Sequence, residues 1–239
     1  MKWKLLASSG AVIATVLAVW AFAAGDEMNV SYVAVKGELT EPQRADVYRV
    51  LIDHRQTLHD IGDVKMTLEQ SPWIHRVDVR RDWPDGIVVS VLTEHPIAFW
   101  NNDAYINADG KVFTSKLVSA TGLPQLFGPK DSEREVMQRY LELGSALTGS
   151  GQAVDTLTLD ERGSWAFTTS RGMRVLLGKD DTMERLQRFL AVLGSGDLKA
   201  RIAQVKQVDT RYSNGVAISF KDTGLDIATT DNTQRELRL

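Results

Sequence analysis

The chain has 239 residues, of which 43% are apolar and 25% charged, the mix of an ordinary globular protein with room for two small domains. Its formal net charge of -3, with no basic stripe, argues against a nucleic-acid partner. Cysteine is absent, which removes disulfides, thiol catalysis and thiolate metal sites, and none of the four histidines (His54, His59, His75, His95) lies beyond residue 95 to serve a catalytic centre in the second half.

Residues 5–24 carry no charged side chain and are long enough to cross a bilayer as a helix. Lys2 and Lys4 precede the run and Asp26 and Glu27 follow it, which predicts a short cytoplasmic tail (residues 1–4), a transmembrane helix and an exported remainder. Ala21-Phe22-Ala23 also fits a signal-peptidase site, so cleavage after Ala23 is the alternative. The run exceeds a usual signal core and favours an uncleaved anchor.

Residues 29–35 are rich in β-branched side chains and predict a strand that Gly37 ends. Thr40 and Gln43 form a capping-box pattern with Pro42 in the first turn, and Val47, Val50 and Leu51 follow at helical spacing. A second short helix is expected from Asp63, with Val64 and Leu68 inward and Ser71-Pro72 as its stop. Val77 and Val79, then Ile87, Val89 and Val91, alternate around the turn Trp83-Pro84-Asp85-Gly86, which predicts a hairpin. The order strand, helix, helix, strand, strand suits a small sheet with two helices on one face. Val33-Ala34-Val35-Lys36-Gly37, Ser71-Pro72-Trp73-Ile74 and Arg81-Asp82-Trp83-Pro84, in this order and spacing, resemble a POTRA domain, here residues 26–95.

A junction follows, with Pro96 breaking continuous pairing. Asp109-Gly110 predicts a hairpin turn within residues 105–113, and residues 123–129 read as an irregular stretch bounded by Pro124 and Pro129. A helix is expected after Ser132, with Glu135 in the box position and Val136, Tyr140, Leu143 and Leu147 on its buried stripe. Three alternating strands come next, through Leu157 and Leu159, Trp165 and Phe167, and Met173, Val175 and Leu177. Asp181 and Glu184 cap a further helix buried through Met183, Leu186, Phe189, Leu190 and Leu193, which Gly194 or Gly196 closes. Residues 203–211 and 216–220 make a last strand pair around Ser213-Asn214-Gly215, and the polar residues 222–239 predict a flexible tail.

The second half (residues 96–221) carries the most specific resemblance. Glu94-His95-Pro96-Ile97-Ala98-Phe99-Trp100, Leu177-Gly178-Lys179-Asp180-Asp181 and Val208-Asp209-Thr210-Arg211-Tyr212-Ser213-Asn214-Gly215-Val216 look like segments of the FtsQ/DivIB family of bacterial cell-division proteins. The fold class is therefore α+β: an N-terminal transmembrane helix, a POTRA domain (β-α-α-β-β), then a mixed β-sheet domain with packed helices.

No residue pattern demands catalysis. Asp180-Asp181 sits at a helix start, where acids complement the dipole, and Gly194-Ser195-Gly196 lacks the strand-turn-helix setting of a nucleophile elbow. Trp100 and Trp165 read as packing rather than sugar platforms. The resemblance implies a scaffold without enzymatic activity, cofactor or metal, set in the inner membrane at the division septum with its bulk in the periplasm. It also implies partners: FtsB, which comes with FtsL, bound by strand addition at the last strand, and other divisome proteins through the POTRA domain. Carried over by position, the contact residues are Arg162, Arg211, Tyr212, Asn214, Gly215 and Val216. Tyr212 would pack an apolar partner group, and the two arginines would pair with partner carboxylates. The alternative is another exported POTRA-containing assembly or secretion protein.

Overall fold

The computed structural model describes residues 30–194, 201–213 and 215–221. The predicted anchor, the tail and Asn214 lie outside the described residues. Contacts divide the chain into two units, one holding the chain up to His95 together with Phe113–Ser119, the other Pro96–Val112 and the chain from Ala120.

The first unit runs β1 (Tyr32–Lys36), α1 (Glu41–Asp53), α2 (Ile61–Glu69), β2 (Ile74–Asp82) and β3 (Gly86–Thr93), with one 3-10 turn between the helices. Its sheet order is β1-β3-β2, with β3 parallel to β1 and antiparallel to β2. The predicted element order is found, with β3 at the centre of the sheet and Ile87, Val88 and Val89 all buried. α1 starts with a complete capping box: the Thr40 hydroxyl accepts from Gln43 N, and Gln43 Oε1 accepts from Thr40 N at 2.9 Å. α2 begins at Ile61 rather than Asp63, because Asp60 Oδ1 accepts from Gly62 N (2.8 Å) and Asp63 N (3.3 Å) and so satisfies the first turn from further upstream.

Val47, Leu51, Val64 and Leu68 from the helices close over Val35, Val77, Val89 and Val91. Trp73 fills the helix-to-strand junction; it is 2% exposed, and its Nε1–H donates to Asp46 Oδ2 at 3.0 Å. The returning segment joins this core through Leu117 and Val118, and Leu117 O accepts from Gln43 Nε2 at 3.1 Å. At one end of the sheet Tyr32 lies over Gly86, where any Cβ would meet the ring at 2.3 Å, and its hydroxyl donates to Asp82 Oδ2 at 2.6 Å.

The second unit comprises β4 (Ala98–Trp100), β5 (Ala104–Ile106), β6 (Val112–Phe113), β7 (Gln125–Phe127), α3 (Glu133–Leu147), β8 (Val154–Leu159), β9 (Trp165–Thr169), β10 (Arg174–Gly178), α4 (Thr182–Gly194), β11 (Val205–Asp209) and β12 (Ala217–Phe220). The strands form one sheet in the order β12-β11-β10-β9-β8-β7-β4-β5-β6. Three pairs are parallel, β4 with β7, β7 with β8 and β10 with β11; α3 and α4 supply the crossovers of the last two. Val136, Leu143 and Leu147 from α3 and Leu186, Phe189 and Leu193 from α4 share one core with Leu157, Phe167, Val175, Leu177 and Val208. Phe167 and Phe189 meet edge to face, centroids 5.9 Å apart. Trp100 and Trp165 are both buried in this core, as packing residues.

Three expectations change here. The stretch 123–129 contains β7, a strand between β4 and β8; at three residues it is too short to show alternation, and its flanking prolines disguise it. Ser132 does not cap α3 with its side chain: its hydroxyl donates back to Pro129 O at 2.6 Å. Met183 is exposed, and Thr182 takes the buried place at the start of α4.

Trp73→Ala should destabilise the first unit by about 3–5 kcal/mol, the range for emptying a large aromatic site. The Asp46 carboxylate also loses its indole donor. Urea denaturation of the full chain checks this through an earlier transition for that unit.

Candidate functional site at the last strands

The end of the second unit's sheet where β9 begins and β10 and β11 end gathers the residues singled out from the sequence. Trp165 pairs with Gly178, and Leu176 pairs with Asp209. The β8–β9 hairpin is shaped by Asp160, whose Oδ1 accepts from Arg162 N (2.9 Å) and Ser164 N (2.7 Å), leaving the Arg162 side chain exposed at the tip. Lys179 runs across Gly163, its aliphatic carbons 3.5 Å from where a Cβ would stand.

The chain after β11 is pinned rather than extended. Thr210 donates both N–H (3.1 Å) and Oγ1–H (2.8 Å) to Leu176 O. Arg211 turns back on Asp209, with Nε donating to Oδ1 at 2.9 Å and Nη2 to Oδ2 at 2.7 Å. From α4, Arg188 donates to Tyr212 O at 2.5 Å while Glu184 holds its other nitrogen at 3.1 Å. Arg185 donates to Leu177 O at 2.7 Å. Gly178, at φ +76, is required for this crossing: a Cβ there would stand 2.5 Å from Arg185 Nη1 and 3.1 Å from Arg211 Cγ.

This shortens the expected strand pair. β11 runs only from Val205 to Asp209 and β12 starts at Ala217, so Arg211 joins Tyr212 in the connection rather than lying in a strand. The Arg211 fork is already occupied by Asp209, which leaves the outer side of a guanidinium that is half exposed. Tyr212 projects, 60% exposed, from a backbone held by Arg188. Gly215 and Val216 are half-buried just before β12.

Asp209 is largely buried, and its hydrogen bonds from the Arg211 guanidinium hold its carboxyl below the ordinary carboxylate value, against the opposing effect of burial. The same pairing raises Arg211.

β12 ends the sheet order. Its Ala217–Phe220 backbone has β11 on one side, and among the described residues no strand lies on the other. Ile218 leans on the core, while Ala217, Ser219 and Phe220 are exposed, with the Arg201 guanidinium 4.3 Å over the Phe220 ring. Sequence reasoning found the strand but not the anchoring set Asp209, Arg185 and Arg188. The Asp209-x-Arg211 and Glu184-Arg188 spacings hint at ion pairs, but nothing in one dimension aims Arg188 at a loop 24 residues away.

Elsewhere in this unit a cavity of about 480 Å³ lies between α4 and the turn after α3, and among the described residues Arg171 is the one titratable side chain that lines it. No cluster of metal-ligating side chains occurs among the described residues. Among them, too, no helix is long and apolar enough to cross a membrane.

A small sheet with two helices, followed by a mixed sheet that ends, among the described residues, on the edge strand β12, defines a two-unit α+β protein with a strand edge of the kind that can accept a partner strand. Residues 28–95 match the FtsQ-type POTRA domain, and residues 98–211 match the C-terminal region of cell division protein FtsQ/DivIB. The chain is 35% identical over 199 residues to cell division protein FtsQ of Hahella chejuensis, covering 80% of this chain and 70% of that one. It is 34% identical over 199 residues to the FtsQ of Shewanella oneidensis (82% and 75% covered) and 32% identical over 166 residues to that of Escherichia coli (67% and 60% covered). The chain belongs to the FtsQ/DivIB family of cell-division proteins. The match of the second half to this family decides against an assembly or secretion protein.

The Asp209 pairing has a pH signature. A carboxyl held below its unfolded value near 3.9 adds stability above that value and loses it as pH falls through the lower folded value. Asp209→Asn should therefore melt below wild type at neutral pH, and the gap in Tm should narrow as the pH falls below about 4, as thermal melts by circular dichroism would show.

Proposed function

We propose that this chain is a non-enzymatic scaffold of the division machinery, anchored in the inner membrane by residues 5–24 with its bulk in the periplasm at the septum. It binds FtsB, accompanied by FtsL, and links early to late divisome proteins, helping to control septal peptidoglycan synthesis. The observation that carries the reading is the edge position of β12. An unpaired strand edge accepts a partner strand through main-chain hydrogen bonds, and the side chains beside it select the partner.

The flanking residues suit such a partner. Tyr212 offers a projecting ring from the connection that leads into β12, and Arg162 offers an exposed cation from the β8–β9 hairpin, separated from β12 by β10 and β11. Arg211 meets a partner carboxylate with its outer nitrogen while keeping Asp209. Asn214, Gly215 and Val216 lead into the edge and guide the incoming strand. The knot of Asp209, Arg185 and Arg188 holds this connection in shape before binding, which lowers the ordering cost of association. The POTRA unit serves as a docking site for other divisome membrane proteins.

Calorimetry of the full chain in detergent with a synthetic FtsB extracytoplasmic segment tests the assignment. Tyr212→Ala should weaken binding by about 2 kcal/mol or more, the loss typical of an interface hot spot. Arg162→Glu should weaken it further at low salt than at high salt. Equal binding by wild type and a folded Tyr212→Ala chain would place the interface elsewhere.

A further inference from the structure

Among the described residues Trp83 is the most exposed of the large apolar side chains, at 87%, and it sits at the tip of the β2–β3 hairpin in the first unit. Pro84 beside it is exposed as well. An indole on a hairpin tip keeps its apolar surface hydrated, and covering that surface would be favourable.

The chain's own connectivity says what lies nearby. Ser31 N donates to Asp85 O at 2.8 Å, and Tyr32 OH donates to Asp82 Oδ2 at 2.6 Å, so the incoming chain is fastened to both sides of the tip. Tyr32 is itself 43% exposed there. The uncharged run ends at Ala24, seven residues before Ser31. Seven steps of fully extended chain span at most roughly 25 Å, so the tip cannot stray far from the point where the run ends.

Tryptophan and tyrosine are the side chains that settle at the boundary between headgroups and acyl chains, where an apolar ring and a polar N–H or O–H are both accommodated. We propose that the hairpin tip docks on the lipid surface, with Trp83 lodged at the headgroup level and Tyr32 beside it. The first unit then has a fixed face toward the bilayer instead of swinging on its tether. The inference rests on the reading of residues 5–24 as a membrane anchor. The other exposed apolar side chains of this unit, Tyr48 and Ile52 on α1, Met66 on α2 and Leu92 at the end of β3 away from the tip, stay in water.

The test uses the full chain reconstituted into phosphatidylcholine vesicles with brominated acyl chains, as wild type and as Trp83→Phe. Subtracting the two emission spectra isolates Trp83 from the other indoles, including Trp3 and Trp20 of the anchor region. The exposed position lets phenylalanine replace it without disturbing the core, which circular dichroism verifies. The expected result is a Trp83 component that is blue-shifted and loses intensity with brominated lipid. A Trp83 component that emits as in water and ignores the bromine, in vesicles with which the chain co-floats, overturns the docking and leaves the anchor standing. A chain that fails to co-float overturns the anchor reading and the docking with it.

Discussion

The parallel pairing of β11 against β10 is the constraint on which the candidate interface depends. Parallel neighbours cannot be joined by a tight turn, so α4 must cross between them, and it stays there because Leu186, Phe189 and Leu193 are buried against Val175, Leu177 and Val208. Once β11 is fixed, the antiparallel return strand β12 has one place to go, the outside. The edge is thus a consequence of the core: the apolar face of one helix determines which backbone groups face a partner.

The same crossover shapes the connection before that edge. α4 brings Arg185 and Arg188 to the end of β10 and to the carbonyl of Tyr212, and Asp209 collects Arg211. These contacts involve charged donors on carbonyl or carboxylate acceptors, the stronger kind of hydrogen bond. They hold an exposed tyrosine on a defined backbone. A surface loop without them would have to be ordered when a partner arrived, at a cost in affinity. Gly178 makes the arrangement sterically possible, since it lets two arginine side chains pass over the backbone at a φ that other residues resist.

The first unit follows a different economy. Its three-stranded sheet is small, and one large residue, Trp73, closes the corner between α2 and β2. Its outer end is left with Trp83 and Tyr32 in water, next to the place where the chain enters. Burial organises one end of the unit, and connectivity gives meaning to the other.

By itself the sequence determined what is local. The capping box at Thr40 and Gln43, the alternation in β2, β3, β8, β9 and β10, the Asp109-Gly110 turn and the periodicity of α3 and α4 are all written within a few residues, because helical and strand periods repeat over that range. The long motifs were also enough to suggest the family that the comparisons then bore out. Signals that are short or shared escaped: β7 is three residues between prolines, and the first turn of α2 takes its cap from Asp60 rather than from the more obvious Asp63. Only the tertiary structure decided strand order, and with it that β12 is an edge. Only it put Arg211 back on Asp209, aimed Arg188 at Tyr212 and left Trp83 in water. The physical reason is that pairing partners, salt-bridge partners and exposure depend on which distant surfaces the chain buries together, and that choice is settled by packing the whole core rather than by any one segment.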